Sequence, residues 1–345
     1  MSRLSYGNWI SSKGGESTLA NDLVRTAWES GVNFFDTAEI YDLGEGEKQL
    51  GNALRALKVE RSQLVITTKL FRSATGPHQK FTMNDVGMCK KKLISSMNRS
   101  LMNLGMDYVD VVFSHRHFED TPMQEICEAF KVILAKGQAL YWGTSEWPAI
   151  RIMEAMHICD KIGCPRPIVE QCQYNMMNRE NMEKEYAALF DDYGLGTTVW
   201  SPLASGILTG KYMNGVVPDK SRFANDPRLQ AMIFGKYYGT AEAIAKTDGI
   251  LTGLKEIAEK DLGCKLSQMA LAWTIVYPNT TTALMGASSM EQLTENLKAI
   301  DIMKKMRDSP EILAKIEMIL NNRPEMEKDW SMPGCPFLPH RRGGN

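Results

Sequence analysis

Short apolar runs alternate along the chain with longer amphipathic segments, and this alternation limits the possible folds more than any other feature. Eight runs have the length and residue types of β-strands: Leu4–Tyr6, Val32–Phe35, Leu64–Thr68, Val109–Phe113, Ala139–Trp142, Ile168–Gln171, Thr197–Trp200 and Thr282–Met285. The helix-like segments are Leu19–Glu29, Glu47–Leu57, Asn84–Leu104, Met123–Ala135, Ala149–Ile162, Glu180–Tyr193, Gly253–Asp261 and Met290–Ala299. About eight strand-then-helix units predict an α/β fold, a (β/α)8 TIM barrel with a parallel sheet.

A doubly wound parallel sheet is the alternative fold. It is disfavoured because no Gly-x-Gly-x-x-Gly follows an early strand, and the phosphate site of that fold depends on this turn. The 345 residues, of which 43% are hydrophobic, are enough for one large barrel. We expect the barrel to span residues 1–322. Residues 323–345 form a tail that we expect to be poorly ordered, because its end is rich in Pro, Gly and Arg.

Composition and charge exclude several classes of function. The net charge of −1 and the sequence pI near 6.6 argue against binding to nucleic acid or to an anionic membrane. The seven cysteines are scattered without a Cys-x-x-Cys pair, so we predict no metal site and free thiols in a reducing cytoplasm. No apolar run approaches the roughly 20 residues that span a bilayer, and no secretory signal is visible. We therefore expect a cytoplasmic protein without membrane insertion.

Ionisable residues stand where three consecutive strands are predicted to end. Asp36 follows the second strand, Lys69 the third and His115 the fourth, while Tyr41 opens the second helix. Taken singly, Asp36 suits a helix cap and Lys69 a solvated loop. A TIM barrel, however, gathers the carboxyl ends of its strands at one mouth. The sequence therefore predicts that a carboxylate, a phenol, an amine and an imidazole meet there as an acid–base device.

In these residues the sequence resembles the aldo-keto reductase superfamily, most closely the branch related to voltage-gated potassium channel β subunits. Asp36, Tyr41, Lys69 and His115 match the catalytic tetrad of the family. Supporting stretches are Gly31–Glu39, Leu104–Asp110, Tyr141–Trp147, Trp200–Ala204, Gly210–Tyr212 and Glu291–Asn296. The resemblance implies NADPH-dependent reduction of an aldehyde or ketone, in which Tyr41 is the general acid and His115 orients the carbonyl.

In the implied mechanism, Lys69 and Asp36 tune the acidity of Tyr41. A free phenol has a pKa of about 10 and is a weak acid at neutral pH. A Lys69 ammonium about 4 Å away, at an effective dielectric near 20, would favour the phenolate by about 4 kcal/mol, or roughly three pKa units. We therefore expect a lowered pKa for Tyr41.

The resemblance also implies which residues bind the cofactor, NADP(H). These residues are Ser145, Gln171, Trp200, Ser201, Leu203, Gly206, Lys211, Arg222, Ser288, Gln292, Glu295 and Asn296. Trp200 would stack on the nicotinamide, and the segment from Gly206 to Arg222 would cover the pyrophosphate. Lys211, Arg222, Ser288 and Gln292 would surround the 2′-phosphate. We leave Glu146 out of the site, because a carboxylate near the pyrophosphate would be repulsive.

Residues implied for the substrate are Trp9, Phe71, Arg116 and His117, with Met213 or Phe223 as further candidates from the long segment after Trp200. These aromatic walls favour a small apolar or aromatic carbonyl substrate, which includes intermediates of a biosynthetic pathway. The alternative function is an NADPH-binding regulatory β subunit of a potassium channel, which would require a homo-oligomeric ring.

The start of the chain departs from the family pattern. Relatives begin with a β-hairpin that plugs the barrel floor, whereas this sequence starts inside the first strand, at about Leu4. We therefore expect the hairpin to be missing and the floor to be open. Exposed apolar side chains at an open floor would weaken the fold, so we also expect a lower melting temperature than in relatives with the hairpin.

Overall fold

The computed structural model is a closed barrel of eight parallel strands surrounded by helices, as predicted. It describes residues 1–9, 11, 17–71, 86–219 and 221–325. The strands, in both chain and barrel order, are β1 Leu4–Gly7, β2 Phe34–Asp36, β3 Val65–Leu70, β4 Val109–Ser114, β5 Ala139–Ser145, β6 Val169–Gln173, β7 Gly196–Trp200 and β8 Thr282–Met285. β1 pairs with both β2 and β8 and so closes the barrel.

The helices of the first six units are α1 Ser17–Glu29, α2 Glu45–Ala56, α3 Lys90–Leu104, α4 Met123–Ala135, α5 Ala149–Ile162 and α6 Ala187–Tyr193. The long segment after β7 carries the short helices α7 Arg222–Asn225, α8 Pro227–Leu229 and α9 Gly235–Tyr238. The later helices are α10 Ala241–Lys260, α11 Leu266–Val276, α12 Met290–Leu297, α13 Ala299–Arg307 and α14 Pro310–Leu320. The predicted start of the third helix at Asn84 and most of the predicted tail fall outside the described residues. The domain boundary at residue 322 stays a prediction.

Three of the predicted helices need correction. The third was predicted as Asn84–Leu104, but residues 86–89 are not helical and α3 begins at Lys90. The seventh was predicted as Gly253–Asp261 but is the second half of α10, which begins at Ala241. The sixth was predicted as Glu180–Tyr193, but it is divided into a π-helical turn over Asn181–Glu185 and α6. No helix was predicted for α11, because nine of its eleven residues are buried and it has no polar face to mark a helical period.

The barrel interior holds a small apolar cluster of Val111, Phe113 and Val169. Because paired residues of neighbouring strands face the same side of a sheet, Phe113 shares the interior face with Lys69 and Gly143. A Cβ atom at Gly143 would lie 2.4 Å from the carbonyl oxygen of Val169 and 2.9 Å from Cε1 of Phe113. Glycine therefore lets Phe113, Val169 and Val111 pack inside the barrel.

The barrel floor is partly exposed. Tyr141 is paired with Val111 and so faces the interior, yet 52% of it is accessible. This exposure agrees with the expected open floor, while the lower melting temperature stays a prediction.

Candidate active site

The ammonium group of Lys69 lies at the centre of the barrel mouth. Its Nζ donates to Oδ2 of Asp36 at 2.5 Å, to the carbonyl oxygen of Thr37 at 2.7 Å and to the hydroxyl of Tyr41 at 3.1 Å. Lys69 and Asp36 are 1% and 2% exposed. β2 ends at Asp36 and the next turn begins at Tyr41, so one short segment supplies all three acceptors. Asp36 and Lys69 therefore belong to the strands themselves, rather than following them.

The carboxylate of Asp36 is held from a second side. Its Oδ1 accepts from Oγ1 of Thr67 at 2.6 Å and from Nε2 of Gln171 at 3.2 Å. The same Gln171 nitrogen also lies 3.2 Å from Oγ1 of Thr198, on β7. Both carboxylate oxygens thus have donors, which is what a buried anion requires. Gln171, predicted only as a cofactor ligand, also fixes this carboxylate.

The pKa values of Lys69 and Tyr41 show which effect dominates at each group. Burial opposes the charge of Lys69, but Asp36 and Tyr41 outweigh burial and raise the pKa of Lys69. Burial raises the pKa of Tyr41, and the nearby Lys69 ammonium offsets only part of this. The expected lowering of the Tyr41 pKa is therefore wrong in its net direction, although Lys69 acts in the expected sense. Lys69 is a cation and Tyr41 a neutral phenol at pH 7.

His115 follows β4 and brings its ring to Tyr41. The two ring centroids are 6.4 Å apart in an edge-on arrangement. The backbone N–H of His115 donates to the carbonyl oxygen of Leu70. Its own carbonyl oxygen accepts from Nη1 of Arg116 at 2.5 Å, and the same nitrogen donates to Oγ of Ser145 at 3.1 Å. Arg116, predicted for the substrate, thus contacts Ser145, predicted for the cofactor.

The predicted substrate residues occupy different places. Trp9 stacks on Tyr41 with ring centroids 6.2 Å apart, and the Arg222 guanidinium lies 4.2 Å above the Trp9 ring. Arg222 therefore reaches the mouth near Tyr41. His117 packs edge-on against Trp147 at 5.2 Å, and burial lowers its pKa.

Two further substrate candidates pack against aromatic neighbours. Phe71 packs against Phe118, with ring centroids 6.0 Å apart. Phe223 is fully buried against Tyr212 and Phe234, so it supports the long segment internally. Met213, the other candidate from that segment, is half-buried.

The segment after β7 begins with several left-handed residues. Ser201, Ala204, Ser205 and Gly206 have φ angles of 55°, 47°, 58° and 97°. The N–H groups of this run donate within the segment: that of Ala204 to the carbonyl oxygen of Ser201, that of Ser205 to Oγ of Ser201 and that of Gly206 to the carbonyl oxygen of Leu203. A Cβ atom at Gly206 would lie 3.2 Å from Cε and 3.4 Å from Nζ of Lys211. The Lys211 ammonium beside Gly206 is therefore the group of this segment that fits a pyrophosphate.

The start of α12 offers a second polar surface. The side-chain oxygen of Gln292 accepts from the backbone N–H and the hydroxyl of Ser288, both at 3.0 Å. The side chain of Ser289 caps the helix. A helix N-terminus attracts phosphate groups, so this end fits the 2′-phosphate role.

Further along α12, hydrogen bonds from Lys265 and Lys298 lower the pKa of Glu295 to about 2, and Asn296 is buried. Leu203, in the segment that follows β7, is half-buried and packs against the main core.

The model of the Aldo/keto reductase family matches residues 3–317. The chain belongs to the aldo/keto reductase family. Similar relatives include two proteins named probable voltage-gated potassium channel subunit beta, from Oryza sativa subsp. japonica and from Arabidopsis thaliana. Each is 39% identical over 334 residues, which cover 96% of both chains. A putative voltage-gated potassium channel subunit beta from Schizosaccharomyces pombe is 41% identical over 326 residues, covering 94% of this chain and 91% of its own.

As an aldo/keto reductase, the protein is an oxidoreductase that acts on small carbonyl compounds, in a family that generally uses NAD(P)H. Within the described ranges, no helix has the length and apolar character of a membrane span. The same part of the chain holds no group of three or more His, Cys, Asp or Glu side chains suited to a metal ion.

Glu146 was left out of the predicted site, but its carboxylate contacts Trp200, the residue predicted to stack on the nicotinamide. Oε1 of Glu146 accepts from the indole N–H of Trp200 at 2.8 Å and from the backbone N–H of Gln173 at 2.5 Å. The argument from repulsion assumed that this side chain would face the pyrophosphate, whereas it faces the Trp200 indole. Its position directly after Ser145, at the end of β5, was the signal that could have revealed it.

Proposed function

We propose that this aldo/keto reductase is an NADPH-dependent reductase that transfers a hydride to an aldehyde or ketone. One observation carries the proposal: the buried Lys69 ammonium donates to both the Asp36 carboxylate and the Tyr41 hydroxyl. Besides satisfying one N–H of the buried ammonium, this contact allows Lys69 to stabilise the phenolate that remains after Tyr41 gives its proton away.

The residues divide the work of the reaction as follows. NADPH supplies the hydride, which reaches the carbonyl carbon. Tyr41 gives its hydroxyl proton to the carbonyl oxygen, so that an alcohol forms. Lys69 stabilises the Tyr41 phenolate, and Asp36 keeps Lys69 charged and in place. His115, beside Tyr41, orients the carbonyl oxygen by a hydrogen bond.

We assign the cofactor to the residues implied by the resemblance. The Lys211 ammonium beside Gly206 suits the pyrophosphate. Ser288 and Gln292 at the start of α12 support NADP over NAD, because they present polar groups where a 2′-phosphate gains from the helix dipole. Arg222 contacts Trp9 in this structure, so its assignment to the phosphates implies a move toward them.

We propose an apolar or aromatic carbonyl substrate, because Trp9 stacks beside Tyr41. A biosynthetic role and a cytoplasmic location, where its cysteine thiols stay reduced, belong to the same proposal.

The names of the relatives favour a second candidate, a regulatory β subunit of a potassium channel. That function needs a homo-oligomeric ring, so a monomer in light scattering would exclude it. The two candidates also differ in turnover, since a regulatory subunit needs to bind the cofactor without consuming it.

The decisive experiment measures NADPH oxidation with a panel of aldehydes and ketones, in wild type and Tyr41→Phe. We expect Tyr41→Phe to lower kcat about 100-fold or more, since general acid catalysis contributes that much. Tyr193→Phe, on an exposed tyrosine at the end of α6, is the matched control and should keep full activity. Equal turnover by wild type and Tyr41→Phe on every substrate would refute the assignment.

A further inference from the structure

A single carboxylate oxygen, at the residue that follows β5, connects to the ends of β6 and β7. Oε1 of Glu146 accepts from the backbone N–H of Gln173, the last residue of β6. The same oxygen accepts from Nε1 of Trp200, the last residue of β7. The indole nitrogen is a donor with no acceptor capacity, so an acceptor at this point determines how the ring is turned.

The backbone that carries Glu146 is fixed in turn. Glu146 has a φ of 56°, a left-handed conformation that its surroundings must stabilise. Its N–H donates to Oε1 of Glu170 at 2.5 Å, and Oε2 of Glu170 accepts from Thr144. Burial raises the pKa of Glu170 to about 8, so this carboxyl is neutral at pH 7. Of these two neighbouring acids, Glu146 is the one that accepts a hydrogen bond from the Trp200 indole.

We propose that Glu146 is a positioning residue that fixes the Trp200 indole and makes the nicotinamide end of the site prefer the oxidised, positively charged cofactor. The proposal rests on the proposed function, in which Trp200 stacks on the nicotinamide. The oxidised ring carries a positive charge and the reduced ring is neutral, so a fixed anion beside the Trp200 indole favours the oxidised form. The donors from Trp200 and Gln173 hold that anion in place without neutralising it.

Two substitutions separate the charge from the hydrogen bond. Glu146→Gln keeps an oxygen that can accept from the indole but removes the charge, whereas Glu146→Ala removes both. Asp192→Asn, on an exposed carboxylate of α6, is the control for losing one negative charge.

The first measurement needs no cofactor. In the ¹H–¹⁵N spectrum of the free protein, Trp200→Phe identifies the Trp200 indole resonance. We expect Glu146→Ala to shift this resonance upfield, because a hydrogen bond to a carboxylate is lost, while Asp192→Asn leaves it in place. An unmoved resonance in a folded Glu146→Ala protein would overturn the positioning role.

The second measurement is the dissociation constant of NADP⁺ and of NADPH by calorimetry. We expect Glu146→Gln to weaken NADP⁺ binding about fivefold and to change NADPH binding less than twofold. An unchanged ratio of the two constants would overturn the preference for the oxidised form. If wild type binds neither nucleotide, the proposed function fails, and the indole resonance still decides whether Glu146 holds Trp200.

Discussion

The buried pair of Lys69 and Asp36 allows a quantitative test of how the barrel mouth is stabilised. We compare Asp36→Asn, Lys69→Met and the double variant. At the 2.5 Å separation of Nζ and Oδ2, an effective dielectric of 20 gives an attraction of about 7 kcal/mol. Removing both ions from water offsets several kcal/mol of this gain. Each single variant leaves one buried charge without its partner, so we expect each to lose about 3–5 kcal/mol of unfolding free energy.

The double variant should be less destabilised than the two single losses added together, because it buries no isolated charge. We expect a coupling energy of at least about 3 kcal/mol. The assay is urea unfolding, followed by circular dichroism, of all four proteins at pH 7. Arg166 and Asp160 form a well-aligned but exposed pair, and the losses caused by the matching substitutions there should be additive. Additive losses at residues 36 and 69 would refute the reasoning.

Two further predictions concern stability. Because burial raises the pKa of Glu170 from 4.5 to about 8, its folding contribution is complete below pH 4.5 and is lost as pH rises through 8. Glu170→Gln should therefore flatten the decline in melting temperature between pH 5 and pH 8.5, and an unchanged slope would argue against this cause. Gly143→Ala should destabilise the barrel by about 2 kcal/mol or more, because the added Cβ meets the Val169 backbone. Gly249→Ala, in α10 with open space around it, should instead stabilise by up to about 1 kcal/mol. Equal effects of the two alanines in chemical unfolding would contradict the packing argument.

Strand positions could be predicted from sequence because buried parallel strands are short, continuous apolar runs. The polar residues that end or follow those runs, such as Asp36 and His115, stand out for the same reason. Their convergence follows from barrel topology, which is why Asp36, Tyr41 and Lys69 are found together. The chemical roles of these residues stay predictions until activity is measured.

Other features depend on three-dimensional surroundings that no pattern encodes. The direction in which the Tyr41 pKa shifts is set by how much water burial removes. The sequence-based expectation considered only the attraction of Lys69 and left burial out. The position of Glu146 depends on a left-handed turn that aims its carboxylate at Trp200. The helix α11 escaped prediction because a helix buried on all sides has no polar stripe.

The polar contacts of Asp36 and Gln171 have a consequence for laboratory evolution. They run across the upper barrel from β2 and β3 to β6 and β7, through Thr67 and Thr198. The side chains assigned to the chemistry thus also fill the upper part of the barrel interior. A library selected for heat tolerance alone would be free to accept a well-fitting apolar pair in place of Lys69 and Asp36. Selection for thermostability in this barrel therefore needs a simultaneous screen for turnover, or it will enrich stable proteins that no longer react.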